Sequence, residues 1–417
     1  MSSIKRIPPK SLQVGMYITG MEGAAGEQGS NLRTEGLLTR QDTVDQLLKM
    51  NLKAVLIDVE KGIDCQSSIS IDDIQISTDG HVLPKPSSVE IPMPKALDTD
   101  QIGRALVPFS EELEKAKELK SKALSLVDHV MHDVKMGRAV NMTSVDEITT
   151  EITESLENNQ NALASLMRQR SMDSYLFEHS LNVSVLMGIM ARSLGYQEHI
   201  VKELVMGAFV HDIGKIKVPD EVLHKPGKLE DHEWLEMKRH VDYGIEALEE
   251  VGGISQIVKD ICALHHEKLD GTGYPFGMDQ SRLPRHTRIA SVVDVYDAIT
   301  ADRCYHQGME PTVALKKMLT WTGDHLDKDL VYQLIRCLGV YPPGSFVELE
   351  SGHIAMVREH RPAHPNMPVV HMVYDAKRKR SLDGFIVDLR KHTNYGTAVR
   401  AANPEHYGLN VSDFLAG

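Results

Sequence analysis

Apolar residues recur at helical spacing over two long stretches. From Ser110 to about Met136 they are Leu113, Ala116, Leu119, Ala123, Leu126, Val130 and Val134. From about Ser144 to Gln169 they are Val145, Ile148, Ile152, Leu156, Leu163 and Leu166. Each set falls on one face of a helix, and Ser144 with Glu147 has the spacing of a capping box. Such stripes are buried within one chain, as a helical hairpin, or between two chains. Together they carry more apolar surface than two helices hide from each other, so they are expected to dock on the helical domain that follows or to pair between chains, with a slight lean toward a homodimer.

Around this pair the pattern changes character. In residues 1–60 an alternating run from Leu12 to Ile18, a helical stretch with Val44, Leu47 and Leu48 on one face, and the apolar run Ala54–Ile57 predict a small α/β domain. Residues 61–107 are rich in Ser, Asp and Pro and read as a linker. After the helical pair (108–171), residues 172–338 predict an all-helical bundle, with helices at 173–194, 198–212, 230–250, 255–267, 285–301, 311–321 and 327–338. Residues 339–417 turn β-rich, with Val347, Val357, Val369-Val370 and Val373-Tyr374 among Gly and Pro, and Lys377–Arg380 as a solvated hairpin turn. The fold class is therefore mainly α, with a small α/β domain before the bundle and a short β-rich tail after it.

Composition narrows the function. With 46 Lys+Arg against 59 Asp+Glu, the formal charge is −13, which argues against a nucleic-acid polymer as partner but leaves room for a small anionic substrate at a local positive site. No apolar run reaches a membrane span, and MSSIKRIPPK has no signal-peptide core, so a cytoplasmic location is expected. The four cysteines are scattered without a CxxC pair, which disfavours a thiolate metal site. Histidine stands out: of 20, half lie between His179 and His306, and imidazole is the commonest metal ligand among side chains.

Within that region His211-Asp212 ends one predicted helix and is followed by Ile213-Gly214-Lys215. At a helix end adjacent side chains can converge on one metal, and a carboxylate has two oxygens with which to bridge two. Gly214 is expected to stop the helix and free Lys215 to point at an anion. His179, His240, the doublet His265-His266 and Asp294 fall on other predicted helices. Asp294 follows Ile289-Ala290-Ser291-Val292-Val293, where a carboxylate is costly to bury unless paired or metal-bound. Any one of these alone would more often be a satisfied core residue. Their joint occurrence matches bundle di-metal sites, in which each helix contributes one or two N/O ligands.

These residues carry a family resemblance. His211-Asp212 with Lys215 resembles the HD superfamily of metal-dependent phosphohydrolases. The run from His265 through Gly273-Tyr274-Pro275 resembles the signature of its HD-GYP branch, as do Pro219–Gly227 and Asp294–Ala298. The first ~60 residues, around Leu12–Tyr17, resemble an uncharacterised domain that often precedes HD-GYP domains. The resemblance implies an HD-type helical core and hydrolysis of cyclic di-GMP to linear pGpG, or on to GMP, by a metal-bound hydroxide. It implies His179, His211, Asp212, His240, His265, His266 and Asp294 as metal ligands, with Asp212 bridging. Asp212 and Lys215 are then the catalytic residues, with Lys215, Gly273, Tyr274, Pro275 and Arg303 on the substrate. Two divalent ions, iron or manganese foremost, are the implied cofactors. Diguanylate cyclases (GGDEF domains) are partners the resemblance leaves open.

The chain departs from the pattern in places. Three-metal relatives carry Glu four residues before the first histidine, where this chain has Tyr175, and the usual Asp-Arg-Pro-Tyr-Arg reads Asp302-Arg303-Cys304-Tyr305-His306. Two alternatives stand beside the main reading: a catalytically weak cyclic di-GMP sensor or docking module, and a phosphohydrolase of another cyclic dinucleotide.

Overall fold

The computed structural model describes residues 104–168, 175–302 and 308–409 without interruption, together with Phe414. Of the first 85 residues it describes seven short strands and some residues beside them. The chain divides into two compact units, Met1–Lys85 and Pro86–Gly417.

In the first unit, alternation in Ala54–Asp58 turns Val55 and Ile57 into a core with Ile7, Met16, Ile18, Val44 and Leu47. β1 (Ile4–Ile7), β2 (Tyr17–Glu22), β3 (Gly36–Leu37), β4 (Ala54–Asp58) and β5 (Ile69–Ser70) form an antiparallel sheet in the order β3-β2-β4-β1-β5. Leu48 is exposed, because one step of about 100° past Leu47 carries it off the buried face. β5 pairs with β1, and β6 (Ile74–Ile76) pairs with β7 (Val82–Pro84). All three lie in the stretch read as linker. Two or three apolar residues among Ser and Asp are too few to give a period.

In the second unit α1 (Phe109–Lys135) and α2 (Met142–Leu166) form the expected hairpin. Asn141, not Ser144, caps α2: its Oδ1 accepts the Ser144 backbone N–H at 3.3 Å. Asn caps as well as Ser and comes first in the chain. The α1 stripe is buried inside the unit, with Val127 in place of the half-buried Leu126, against α2, α3 and the short helix after His211. The surface that motivated a homodimer is thus covered within the chain.

The bundle proper consists of α3 (Tyr175–Ser193), α4 (Glu198–Val210), a 3-10 turn (Ile213–Lys217), α5 (Asp220–Leu223), α6 (Asp231–Lys238), α7 (His240–Val251), α8 (Gln256–Leu264), α9 (Arg285–Thr300), α10 (Pro311–Thr320) and α11 (Lys328–Leu338). α3 is not amphipathic but buried on nearly every face, as suits the central helix of a bundle. The helix expected over 230–250 is two helices, interrupted at Arg239 with no Gly or Pro to signal it, so His240 opens a new helix. Gly214 lies inside the 3-10 turn, and α4 has already ended at Val210.

The C-terminal strands β8 (Phe346–Leu349), β9 (His353–Glu359), β10 (Val369–Asp375), β11 (Arg380–Asp388) and β12 (Ala398–Ala401) make an antiparallel sheet ordered β11-β10-β9-β8-β12. Lys377–Arg380 closes the β10–β11 hairpin, with Asp375 accepting the Arg378 N–H at 3.0 Å. β9 is stitched to the helices. The Arg358 guanidinium stacks 4.4 Å over Phe109. The His360 N–H donates to Asn161 Oδ1 at 3.1 Å, and its Nε2 pairs with the Arg336 carbonyl at 3.1 Å. A Cβ on Gly339 would run into the His360 ring.

Candidate metal centre

Five helical segments deliver the site. α3 brings His179, the end of α4 brings His211-Asp212, α7 opens on His240, the end of α8 gives His265-His266, and α9 carries Asp294. All but His266 are buried. Asp212 lies at the centre with its two oxygens facing opposite ways. Its Oδ2 is 3.3 Å from Nε2 of both His179 and His211. Its Oδ1 is 3.4 Å from His240 Nε2 and 3.6 Å from His265 Nε2. Asp294 Oδ1 lies 3.0 Å from His179 Nε2, and its Oδ2 lies 3.8 Å from His266 Nδ1. The seven residues thus sort into two donor groups, His179–His211–Asp294 and Asp212–His240–His265–His266, each with atoms within 4.8 Å of one another.

Backbone geometry fixes which nitrogen faces inward. Nδ1 of His211 is 2.6 Å from the Ala208 carbonyl, and that of His240 is 2.7 Å from Met237. Nδ1 of His265 lies 3.0 Å from Cys262. A carbonyl only accepts, so in each ring Nδ1 carries the proton and Nε2 offers a lone pair. Those lone pairs point at carboxylate oxygens, also acceptors. His211 Nε2, His240 Nε2, His265 Nε2 and Asp212 Oδ1 are buried without a hydrogen-bond partner, each a desolvation cost of about 1–3 kcal/mol. A cation between the groups removes all four costs, so the donor set fits divalent metal, with N and O ligands and no thiolate.

Protonation tells the same story. Burial pushes His240 down to about 3 and lowers His211 and His266, keeping them neutral. Burial also opposes the charge on Asp212, yet His211 and Lys215 hold its carboxyl well below the usual range. At His179 burial is overcome by Tyr175, Asp212, Asp294 and Asp297, which raise it well above an ordinary imidazole. Ionised carboxylates beside the neutral imidazoles of His211, His240 and His266 suit a cation, and at His179 the same carboxylates favour positive charge, which a bound metal would supply in place of a proton. Lys215 Nζ pairs with Asp212 Oδ2, so its charge stands at the centre's edge.

The GYP stretch closes one side. Tyr274 stacks on His266, ring centres 4.7 Å apart. Gly273 passes so close to Glu267 that a Cβ there would overlap its backbone. Glu267 looks like a surface residue in sequence, but it is buried, and its carboxylate accepts the Phe276 and Met278 N–H groups at 2.6 and 2.9 Å. It therefore shapes the loop that carries Tyr274. Pro275 is buried in the same loop. Arg303, with Cys304, Tyr305 and His306, lies outside the described residues.

Asp297 lies inside the Asp294–Ala298 stretch, where the sequence alone gives it no role. Its Oδ2 is 2.8 Å from His179 Nδ1, so it orients that ring from behind. The signal was present: three residues after Asp294 on one helix, it shares the same face. Loss of such an outer partner typically costs 10–100-fold in metal affinity. Asp297→Asn should accordingly release one bound ion about tenfold or more more readily in a chelator titration, leaving the other near its wild-type affinity. Equal weakening of both would contradict a role confined to His179.

The chain matches two family models: the HD domain over residues 151–330 and a domain of unknown function, DUF3391, over residues 4–145. It is 34% identical to a cyclic di-GMP phosphodiesterase of Pseudomonas aeruginosa, over 93% of this chain and 89% of that protein. A cyclic di-GMP phosphodiesterase response regulator of Xanthomonas campestris is 32% identical over 54% of this chain and 55% of its own length. A 3′3′-cGAMP-specific phosphodiesterase of Vibrio cholerae is 34% identical over 42% of this chain and 33% of its own length. No helix among the described residues is long and apolar enough to cross a membrane.

Proposed function

The chain belongs to the HD-GYP family of HD-domain proteins, and from that membership we propose that it is a metal-dependent phosphodiesterase that hydrolyses cyclic di-GMP to linear pGpG. The observation that carries this reading is the pair of orphaned donor groups joined through the two oxygens of Asp212.

His179, His211 and Asp294 would hold one ion and His240, His265 and His266 the other, with Asp212 bridging. Bound divalent ions supply Lewis acidity, making a water nucleophilic near neutral pH and drawing charge off phosphoryl oxygens. The chain's own residues do the rest. Asp212 fixes the spacing of the two halves. Lys215, already charged beside Asp212, meets a nonbridging phosphate oxygen as negative charge grows there. Tyr274 borders the substrate at the rim, on a loop that Gly273 and Pro275 hold close. Arg303 is assigned to the guanine-bearing half on the family resemblance alone. The complete donor set speaks against a silent sensor module.

The test is incubation of purified, metal-quantified protein with cyclic di-GMP and, in parallel, 3′3′-cGAMP, with products resolved by chromatography. Linear pGpG as the main product is expected. Turnover of 3′3′-cGAMP alone would favour the second reading, which the relative from Vibrio cholerae motivates.

Metal number follows from Tyr175. Its ring lies 6.0 Å from that of His179 and nearly parallel to it, so the position that is Glu in three-metal relatives faces the centre here with a phenol. A phenol oxygen is a weaker ligand for a hard cation than the carboxylate it replaces. Protein purified without chelator should hold two equivalents of iron or manganese and cut pGpG slowly or not at all. Three equivalents would overturn this, and Tyr175→Glu should gain the third.

A further inference from the structure

α6 contributes no buried residue to the core, yet it is firmly built. Glu230 and Glu233 form a reciprocal capping box at its start, and Lys225 pairs with Glu233 at 2.6 Å. Trp234 and Lys238 are four residues apart on it and share one face. Trp234 is 45% exposed, so core packing does not account for the indole. Its ring stands 6.1 Å from that of Tyr274 at 80°, and Lys238 Nζ lies 5.5 Å from the Tyr274 ring centre. Tyr274 in turn stacks on His266. From the metal centre outward the order is imidazole, phenol, indole, with the Lys238 ammonium over the phenol.

We propose that Trp234 and Lys238 form a nucleobase subsite at the rim of the centre. The indole stacks on one purine of a cyclic dinucleotide, Tyr274 meets that base at its edge, and Lys238 pairs with the phosphate that is not being cut. This rests on the cyclic dinucleotide reading above and adds to it residues that the family signature does not assign. Stacking uses the π-face that every base has and ignores exocyclic groups. The subsite therefore tightens binding of guanine and adenine alike, and discrimination between cyclic di-GMP and 3′3′-cGAMP must come from elsewhere.

The experiment is steady-state kinetics of the metal-loaded full chain on three substrates: cyclic di-GMP, 3′3′-cGAMP and the base-free diester methyl p-nitrophenyl phosphate. Loss of a base–indole stack is worth about tenfold or more in affinity. Trp234→Ala should raise KM for whichever cyclic dinucleotides are turned over by about that factor, with kcat within about twofold. The selectivity for cyclic dinucleotide over the base-free diester should fall by the same factor, and Trp234→Phe should recover most of it. Lys238→Met should raise KM and weaken its dependence on salt. An unchanged KM in Trp234→Ala, or an equal fall in kcat on all three substrates, would sink the subsite. Wild-type protein that cleaves the base-free diester and neither cyclic dinucleotide would instead overturn the functional reading itself.

Discussion

Asp212→Asn should lose hydrolysis of cyclic di-GMP by on the order of 10³-fold or more, the scale of removing a principal electrostatic stabiliser, and should retain less than one equivalent of metal. The reason is positional. Each carboxylate oxygen faces two imidazole nitrogens, so neutralising the group removes an anionic donor from both halves of the centre at once. The protein should nevertheless stay folded. The asparagine amide can donate to an Nε2 atom that otherwise lacks a partner, so the metal-free variant satisfies its buried groups better than metal-free wild type. Circular dichroism, metal analysis and turnover together decide the matter. Wild-type turnover at matched metal content would mean that the hydrolytic centre lies elsewhere.

The second large effect concerns a backbone contact. A Cβ on Gly214 would overlap the His240 carbonyl oxygen and come 2.5 Å from the Gly244 nitrogen. The 3-10 turn is therefore pressed against the first turn of α7, and behind it a Cβ on Gly244 would already crowd Cys262 Sγ at 2.8 Å. α7 has nowhere to retreat, and interiors answer such overpacking with strain. Gly214→Ala should be destabilised by about 3 kcal/mol and should lose metal, since the same shift drags His240 away from Asp212. A denaturant midpoint and metal content equal to wild type would show that α7 tolerates the added carbon.

Much of this centre is legible in the sequence, because its candidate ligands are chemically conspicuous. A carboxylate directly after the apolar run Ile289–Val293, or paired imidazoles at a helix end, demand a partner before any coordinates exist. What escapes is whatever serves those residues from behind. Asp297 reads as one more polar helical position until its contact with His179 is seen. Glu267 reads as solvent-facing because its partners are backbone N–H groups nine and eleven residues further on, which no side-chain pattern announces. Gly214 reads as a helix stop, since sequence shows a glycine's freedom but not what lies against it. The break at Arg239 has no local signal at all, and it decides that His240 begins a helix and so turns toward Asp212.

The stitching of β9 to the helices bears on how the chain can be divided. Phe109 at the start of α1, Asn161 near the end of α2 and Arg336 on α11 all find their partners on Arg358 and His360. A gene cut between α11 and β8 would therefore strand three helices at once, including a side-chain amide chosen to meet a strand. The sheet and the bundle are therefore inherited as one piece.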